Sequence, residues 1–251
     1  MFRKKENIDI DDLLFVVKIL RFDSRNEQSP HFAHYRIIAK RGMTVLDALL
    51  KIQEEQDATL VFRYSCRGAV CGSCGMVING QPNLACRVQL CHLPTREIVL
   101  EPLPNLPIIK DLIVDMEPFW AAYRSIEPWL QVDEGKKKDE YFVDKTTMAK
   151  FEQYANCVLC ACCHGSCPVV ARDDKYLGPA ALLKLYRFLQ DPRDHRDARV
   201  ALERVNNSQG VWGCDTVFRC VDSCPKEIRP TDGITGLRRQ LFLSKFMNCH
   251  K

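Results

Sequence analysis

Two stretches in the second half of the chain share one cysteine frame, and that frame constrains the fold more than any other feature. The first reads Cys157-x2-Cys160-x2-Cys163-x3-Cys167-Pro168. The second, Cys214-x2-Val217-x2-Cys220-x3-Cys224-Pro225, keeps the spacing but carries valine at the second cysteine position. Paired runs of this kind hold two iron–sulfur clusters, and the fourth cysteine of each run ligates the other run's cluster. Cys157, Cys160, Cys163 and Cys224 then form a complete set of four. Cys167, Cys214 and Cys220 form a set of three, because a valine side chain has no donor for iron. The simplest contents are one [4Fe–4S] and one [3Fe–4S] cluster. A zinc site competes with this reading, but structural zinc closes on four ligands, and the shared CxxCxxCxxxCP frame is more specific than a lone CxxC. Val217 keeps one plainer alternative, a core valine beside a [4Fe–4S] cluster whose last ligand comes from elsewhere.

A third cysteine group lies upstream. Cys66-x4-Cys71-x2-Cys74-x11-Cys86 has the plant-type spacing for [2Fe–2S]. Thiolates are soft, anionic donors that suit iron. Gly68, Gly72 and Gly75 in the same loop let the backbone curl closely, so that amide N–H groups reach sulfur. Structural zinc usually joins two CxxC-like pairs rather than a glycine-rich four-residue gap, which argues against it here. Cys86 is preferred to Cys91 as the fourth ligand. Cys91 and Cys249 read as ordinary thiols, and Cys162, which breaks the x2 spacing, reads as a small packed hydrophobe.

At 251 residues the chain has room for two modest domains, each with its own core. Residues 13–22 and 31–39 are rich in aromatic and β-branched side chains around a turn-like Asp23–Pro30, which predicts a strand pair. Thr44 and Asp47 have capping-box spacing, and Val45, Ala48, Leu49 and Ile52 recur at helical intervals. Gly75–Gly80 and Arg96–Glu101 read as further short strands. Three prolines between Glu101 and Pro107 then mark a linker. Beyond it the pattern is helical. Leu182, Leu185, Tyr186 and Leu189 share one face after Gly178-Pro179, Ala198–Val205 continues similarly, and Ile234, Leu237 and Leu241 repeat the pattern after Pro230. The expected division is residues 1–106, a mixed α+β domain, and residues 107–251, an all-α domain around the two cysteine runs.

Composition narrows the class further. The net charge of +4 is the balance of 36 Lys and Arg against 32 Asp and Glu, and the basic residues are spread along the chain, apart from Lys136-Lys137-Lys138 amid acidic residues. A solvated surface accounts for this better than nucleic-acid binding. Fourteen cysteines in a chain of this length, at these spacings, do not read as a secreted disulfide scaffold. The basic start Met1-Phe2-Arg3-Lys4-Lys5 precedes no apolar signal-peptide core, and no stretch approaches the roughly 20 apolar residues needed to span a bilayer. The expectation is a protein made in the reducing cytoplasm. No GxGxxG fingerprint and no acid/base or nucleophile constellation is evident, so no catalytic residue is assigned and the substrate chemistry belongs elsewhere.

Three cysteine groups in this order resemble the iron–sulfur subunit of succinate dehydrogenase and fumarate reductase. The resemblance covers nearly the whole chain. It rests on Ser65-Cys66-Arg67 with Cys71-Gly72-Ser73-Cys74-Gly75-Met76, on the run from Cys157 to Pro168, on Gly178-Pro179-Ala180-Ala181 and on Cys214 to Pro225. Asn207–Trp212 looks closer to the fumarate reductases. The resemblance implies a β-grasp [2Fe–2S] ferredoxin domain followed by a helical two-cluster ferredoxin-like domain. It also implies a flavoprotein partner with FAD, a membrane anchor that often carries haem b, and electron passage to or from a quinone at the cytoplasmic face of the inner membrane. In some members the residues matching Pro168, Arg172, Asp215 and Arg238 help form a quinone pocket. Members using ubiquinone typically carry Trp at the position of Arg172 and His at that of Asp215. The departure at both favours menaquinone or a site deeper in the membrane subunit, while a solvated or interface role for these charges stays open. The electron-transfer subunit of another reductase, or a free ferredoxin-like carrier, are the alternatives. Val217 speaks against the first, whose runs are usually both complete, and the linkage of two unlike cluster domains speaks against the second.

Overall fold

The computed structural model describes residues 12–26, 29–132 and 140–248. The basic N-terminus, Lys136–Lys138 and Cys249 lie outside these residues. The chain divides into two compact units. One takes in the residues up to Met116 together with Val158–Ser166 and Asp222–Pro225, and the other Glu117–Cys157, Cys167–Val221 and the chain from Lys226.

The first unit is built on a five-stranded sheet in the order β2-β1-β5-β3-β4. β1 (Leu14–Arg21) and β2 (His31–Ile38) form the expected antiparallel pair, and β1 runs parallel to β5 (Glu97–Glu101) at the centre. Burial alternates along β1, with Phe15, Val17 and Ile19 inside, as a sheet with one face on a core requires. β3 (Gly75–Ile78) and β4 (Gln81–Leu84) form a hairpin on the far side of β5. α1 (Val45–Glu55) covers the core face with Val45, Leu46, Ala48, Leu49 and Ile52. Its capping box is formed. The Asp47 amide donates to Thr44 Oγ1 at 3.2 Å, and the Thr44 amide donates to Asp47 Oδ2 at 2.8 Å. A mixed sheet with one helix packed across it is the β-grasp arrangement.

The proline-rich stretch after β5 does not end this unit. Leu103 and Leu106 are buried in it. β6 (Ile108–Lys110) and β7 (Ile113–Val114) then pair, and the Asp111 amide donates to the Phe22 carbonyl at 2.6 Å. The Asp111 carboxylate is 1% exposed and accepts from Arg21 Nε at 2.9 Å and from the Val61 amide at 2.9 Å. A buried carboxylate needs such partners, and they tie this hairpin to β1. That is why the compact unit reaches Met116, past the linker that marks the boundary in sequence.

The second unit is helical. It holds α2 (Glu117–Ser125), α3 (Lys145–Met148), α4 (Glu152–Ala155), α6 (Pro168–Arg172), α7 (Gly178–Leu189), α8 (Ala198–Arg204) and α10 (Pro230–Asn248), whereas the single-turn α5 (Cys162–Gly165) falls in the first unit. The turn α9 (Arg219–Asp222) carries Cys220. The apolar faces read from sequence are the ones that pack. Leu182, Leu185, Ile234, Leu237 and Leu241 are buried in one cluster, with Tyr186 and Leu189 against it. The helices thereby frame the loops that carry Cys167, Cys214 and Cys220.

Candidate iron–sulfur centres

The first cysteine group sits on a loop that enters β3 and on the end of the β3–β4 hairpin. Arg67, Ala69 and Gly72 all have positive φ, at 56°, 57° and 73°, so the chain coils on itself between Cys66 and Cys74. The coil aims amides at sulfur. Cys66 Sγ accepts from the amides of Gly68 (3.4 Å), Val70 (3.3 Å) and Cys71 (3.3 Å), and Cys71 Sγ accepts from the amide of Cys66 (3.5 Å). Converging N–H donors are what an anionic, metal-bound thiolate requires. Burial acts to raise the Cys71 pKa, yet hydrogen bonds from the Ser73 side chain and the Cys66 and Ser73 amides outweigh it and bring it to about 6. Cys74 is pushed the other way by burial, to about 12.

Pairing of β3 with β4 brings the ends of the hairpin together, so the Ala85 amide donates to the Cys74 carbonyl at 3.0 Å and Cys86 lies beside Cys74. The Cys91 thiol instead donates to Gln89 Oε1 at 3.5 Å. Cys66 and Cys71 are exposed and Cys74 is buried, which leaves the group at the rim of the unit.

In the second group, Cys160, Cys163 and Cys224 belong to the first unit and Cys157 to the second. Cys162 is fully buried among Cys160, Cys163 and Cys224, and its thiol is held well above its ordinary pKa by Cys160, then by burial and the other two sulfurs. It packs as the small hydrophobe its spacing suggested. Ser166 and Ser223 hydroxyls meet at 2.7 Å and bind Cys163 and Cys162 carbonyls, which joins the two chain segments that carry these sulfurs.

Cys167, Cys214 and Cys220 line one cavity of the second unit, about 300 Å³ with its open mouth, together with Val217. Burial raises the thiol pKa of Cys167 and pushes that of Cys220 up to about 12, with neighbouring sulfur charge adding to both. The Thr216 amide donates to Cys214 Sγ at 3.4 Å. Val217 is 51% exposed and is therefore not a core valine.

The loop around Val217 has a particular shape. Thr216 and Phe218, two and four residues after Cys214, have φ of 57° and 60°. Leu159 and Ala161, two and four residues after Cys157, have φ of 55° and 61°. Two runs with one spacing also share positive φ at the same two positions, unusual for non-glycine residues. Val217 thus occupies in its loop the place that Cys160 occupies in the other.

Of the four positions read as quinone-proximal, Pro168 and Asp215 line this cavity. Arg172 pairs with Asp215 at 2.8 Å, with both side chains largely exposed. Arg238 is engaged otherwise. It donates to the carbonyls of Val211 (2.9 Å) and Cys214 (2.7 Å) and to Thr216 Oγ1 (3.3 Å), and so clamps the loop that carries Cys214. Tyr176 and Thr231 also line the cavity; neither belongs to a motif, and nothing in their spacing singles them out.

The donor chemistry fits iron–sulfur clusters at each group. Thiol sulfur is the main donor at each group, none of the thirteen described cysteines is in a disulfide, and backbone amides point at sulfur in the first and third groups. Among the described residues no group of three or more His, Cys, Asp or Glu side chains gathers about a single-ion site. A cluster differs in spreading its thiolates over several irons. Among the described residues no helix is long and apolar enough to cross a membrane.

Residues 16–121 match the family described as a 2Fe-2S iron-sulfur cluster binding domain, and residues 153–228 the one described as a 4Fe-4S dicluster domain. The mitochondrial succinate dehydrogenase [ubiquinone] iron-sulfur subunit of Candida glabrata is 38% identical over 228 residues, which span 89% of this chain and 90% of that protein. The fold is shared with a chain of the Mycobacterium smegmatis Sdh1 complex in the apo form, at a TM-score of 0.84 and 22% identity over 93% of this chain and 97% of that one. A hypothetical protein from Helicobacter pylori shares it more distantly, at a TM-score of 0.57 and 17% identity, over 93% of this chain and 40% of that one. With its sequence, sheet topology and cysteine framework in agreement, the chain belongs to the family of succinate dehydrogenase iron–sulfur subunits, electron-transfer components of that oxidoreductase.

Proposed function

We propose that this chain links a flavoprotein that carries FAD to a quinone served by a membrane-anchor subunit, itself carrying haem b in some assemblies. The reading assigns [2Fe–2S] to Cys66, Cys71, Cys74 and Cys86, within residues 1–106. Within residues 107–251 it assigns [4Fe–4S] to Cys157, Cys160, Cys163 and Cys224, and [3Fe–4S] to Cys167, Cys214 and Cys220. Bound there, the clusters supply one-electron acceptors and donors. The chain's own residues hold them, orient amide donors toward sulfur and bury the last site. The observation that carries the reading is the three-thiol cavity, with Val217 standing where the matching loop has Cys160. The exposed rim of the first group, with Val70 67% exposed beside it, suits approach of a redox partner.

The complex is read as a succinate:quinone oxidoreductase or quinol:fumarate reductase, peripheral at the cytoplasmic face of the inner membrane. The Arg172–Asp215 ion pair supports menaquinone, since both positions carry charge where ubiquinone-using members typically carry Trp and His. Electron paramagnetic resonance on the purified complex tests the cluster assignment. The oxidised protein is expected to give a [3Fe–4S] signal that disappears on reduction, and the reduced protein a [2Fe–2S] signal. Absence of the oxidised-state signal would remove the three-ligand assignment.

A further inference from the structure

We propose that the hydroxyls of Tyr176 and Thr231 donate hydrogen bonds to the cluster held by Cys167, Cys214 and Cys220, and thereby raise its reduction potential. The proposal rests on the reading of those three cysteines as cluster ligands. Both side chains are 2% exposed and both line the three-thiol cavity. Among the described residues, Tyr176 Oη and Thr231 Oγ1 are the buried side-chain polar atoms that meet no oxygen or nitrogen partner, and the group nearest to hydrogen bonding with Tyr176 is the Cys214 sulfur. An orphaned buried hydroxyl costs about 1–3 kcal/mol, and native proteins rarely leave one. Two of them converging on one cavity point to an acceptor inside it.

The two donors arrive from separate elements. Tyr176 precedes α7, and Thr231 lies in the first turn of α10. Val169, Pro179 and Ile234 make much of the wall apolar, and the two other oxygen-bearing side chains of the lining are engaged elsewhere, Asp215 with Arg172 and Thr216 with Arg238. The Tyr176 ring is fixed by its neighbour Gly213, where an added Cβ would lie 3.0 Å from the ring and 2.2 Å from the Ser208 carbonyl oxygen. The Tyr176 hydroxyl lies within reach of the Cys214 sulfur, so it is already placed against a ligand of the cluster. A cluster with its thiolates is anionic, and one-electron reduction adds negative charge to its sulfurs. A hydrogen bond to sulfur therefore strengthens on reduction and favours the reduced form. Removing the donor must lower the potential.

Tyr176→Phe and Thr231→Val delete each hydroxyl with little change of shape. Each is to be made in the iron-loaded complex and titrated potentiometrically under electron paramagnetic resonance. Each is expected to shift the reduction equilibrium of the three-cysteine cluster roughly tenfold toward the oxidised form, or about 59 mV for a one-electron couple. Iron content and the [2Fe–2S] potential should match the parent, and Thr231→Ser should keep the parent potential. Unchanged potentials in both deletion variants overturn the proposal, as does loss of iron with the remaining cluster's potential unmoved. Should the parent carry four irons at this site, the same shift is required of its reduced-state signal, so an error in cluster type is distinguishable from an error here.

Discussion

Val217→Cys is expected to add one iron per chain and convert the three-iron cluster to a four-iron one. The oxidised-state signal should vanish and a further reduced-state signal appear. The change is local. Thr216 and Phe218 already hold the left-handed conformations that Leu159 and Ala161 hold around Cys160, so the substitution needs no change of backbone. Cysteine is smaller than valine, and at 51% exposure the loss of apolar contact is small, within about 0.5 kcal/mol of the parent stability. The new thiol lines the same cavity as Cys167, Cys214 and Cys220. Val217→Ala serves as the control and should leave the three-iron signal intact. A cysteine variant with normal iron content, an unaltered three-iron spectrum and a free thiol at residue 217 would show that this loop does not supply the vacant ligand position.

Val217 also marks how far the sequence reaches. Its substitution within a repeated frame was visible by counting, because cluster ligation fixes cysteine spacing along the chain. That the two loops share their positive-φ residues was not visible, since Leu159, Ala161, Thr216 and Phe218 are not residue types that announce such backbone. The strand pair, the Thr44 capping box and the faces of α7 and α10 follow from periodicity, which is a local property, and they formed as read. What sequence order hid was non-local. Val158–Ser166 belongs to the first compact unit although it lies far beyond the proline linker, and the β6–β7 hairpin stays with that unit through Asp111. Tyr176 and Thr231 escaped for a related reason. Their importance lies in hydroxyls that, among the described residues, meet no oxygen or nitrogen partner, and that is a property of the packed cavity alone.

The glycines of the first cysteine loop divide in the same way: Gly72 and Gly75 are closed in by backbone, an added Cβ at Gly75 lying 2.8 Å from the Cys160 carbonyl oxygen, and Gly72 is the tighter of the two. Sequence reasoning treats Gly68, Gly72 and Gly75 alike, as sites where the backbone curls near sulfur. At Gly68 an added Cβ would meet only the Cys66 carbonyl, at an ordinary 3.7 Å. At Gly72, φ is +73° and the Cβ would fall 2.5 Å from the Val158 carbonyl oxygen and 3.1 Å from the Cys160 amide nitrogen. Gly72→Ala therefore incurs left-handed strain of about 1–2 kcal/mol and an overpacking cost of about 1–3 kcal/mol, against backbone that cannot rotate aside. The expected result is a loss of about 2–5 kcal/mol in denaturant unfolding followed on the first unit's signal, with loss of the [2Fe–2S] spectrum because Cys71 and Cys74 flank the displaced residue. Gly68→Ala should retain both stability and spectrum. Equal behaviour of the two variants would mean that the loop's close approach to Val158–Cys160 does not hold the first cluster in place.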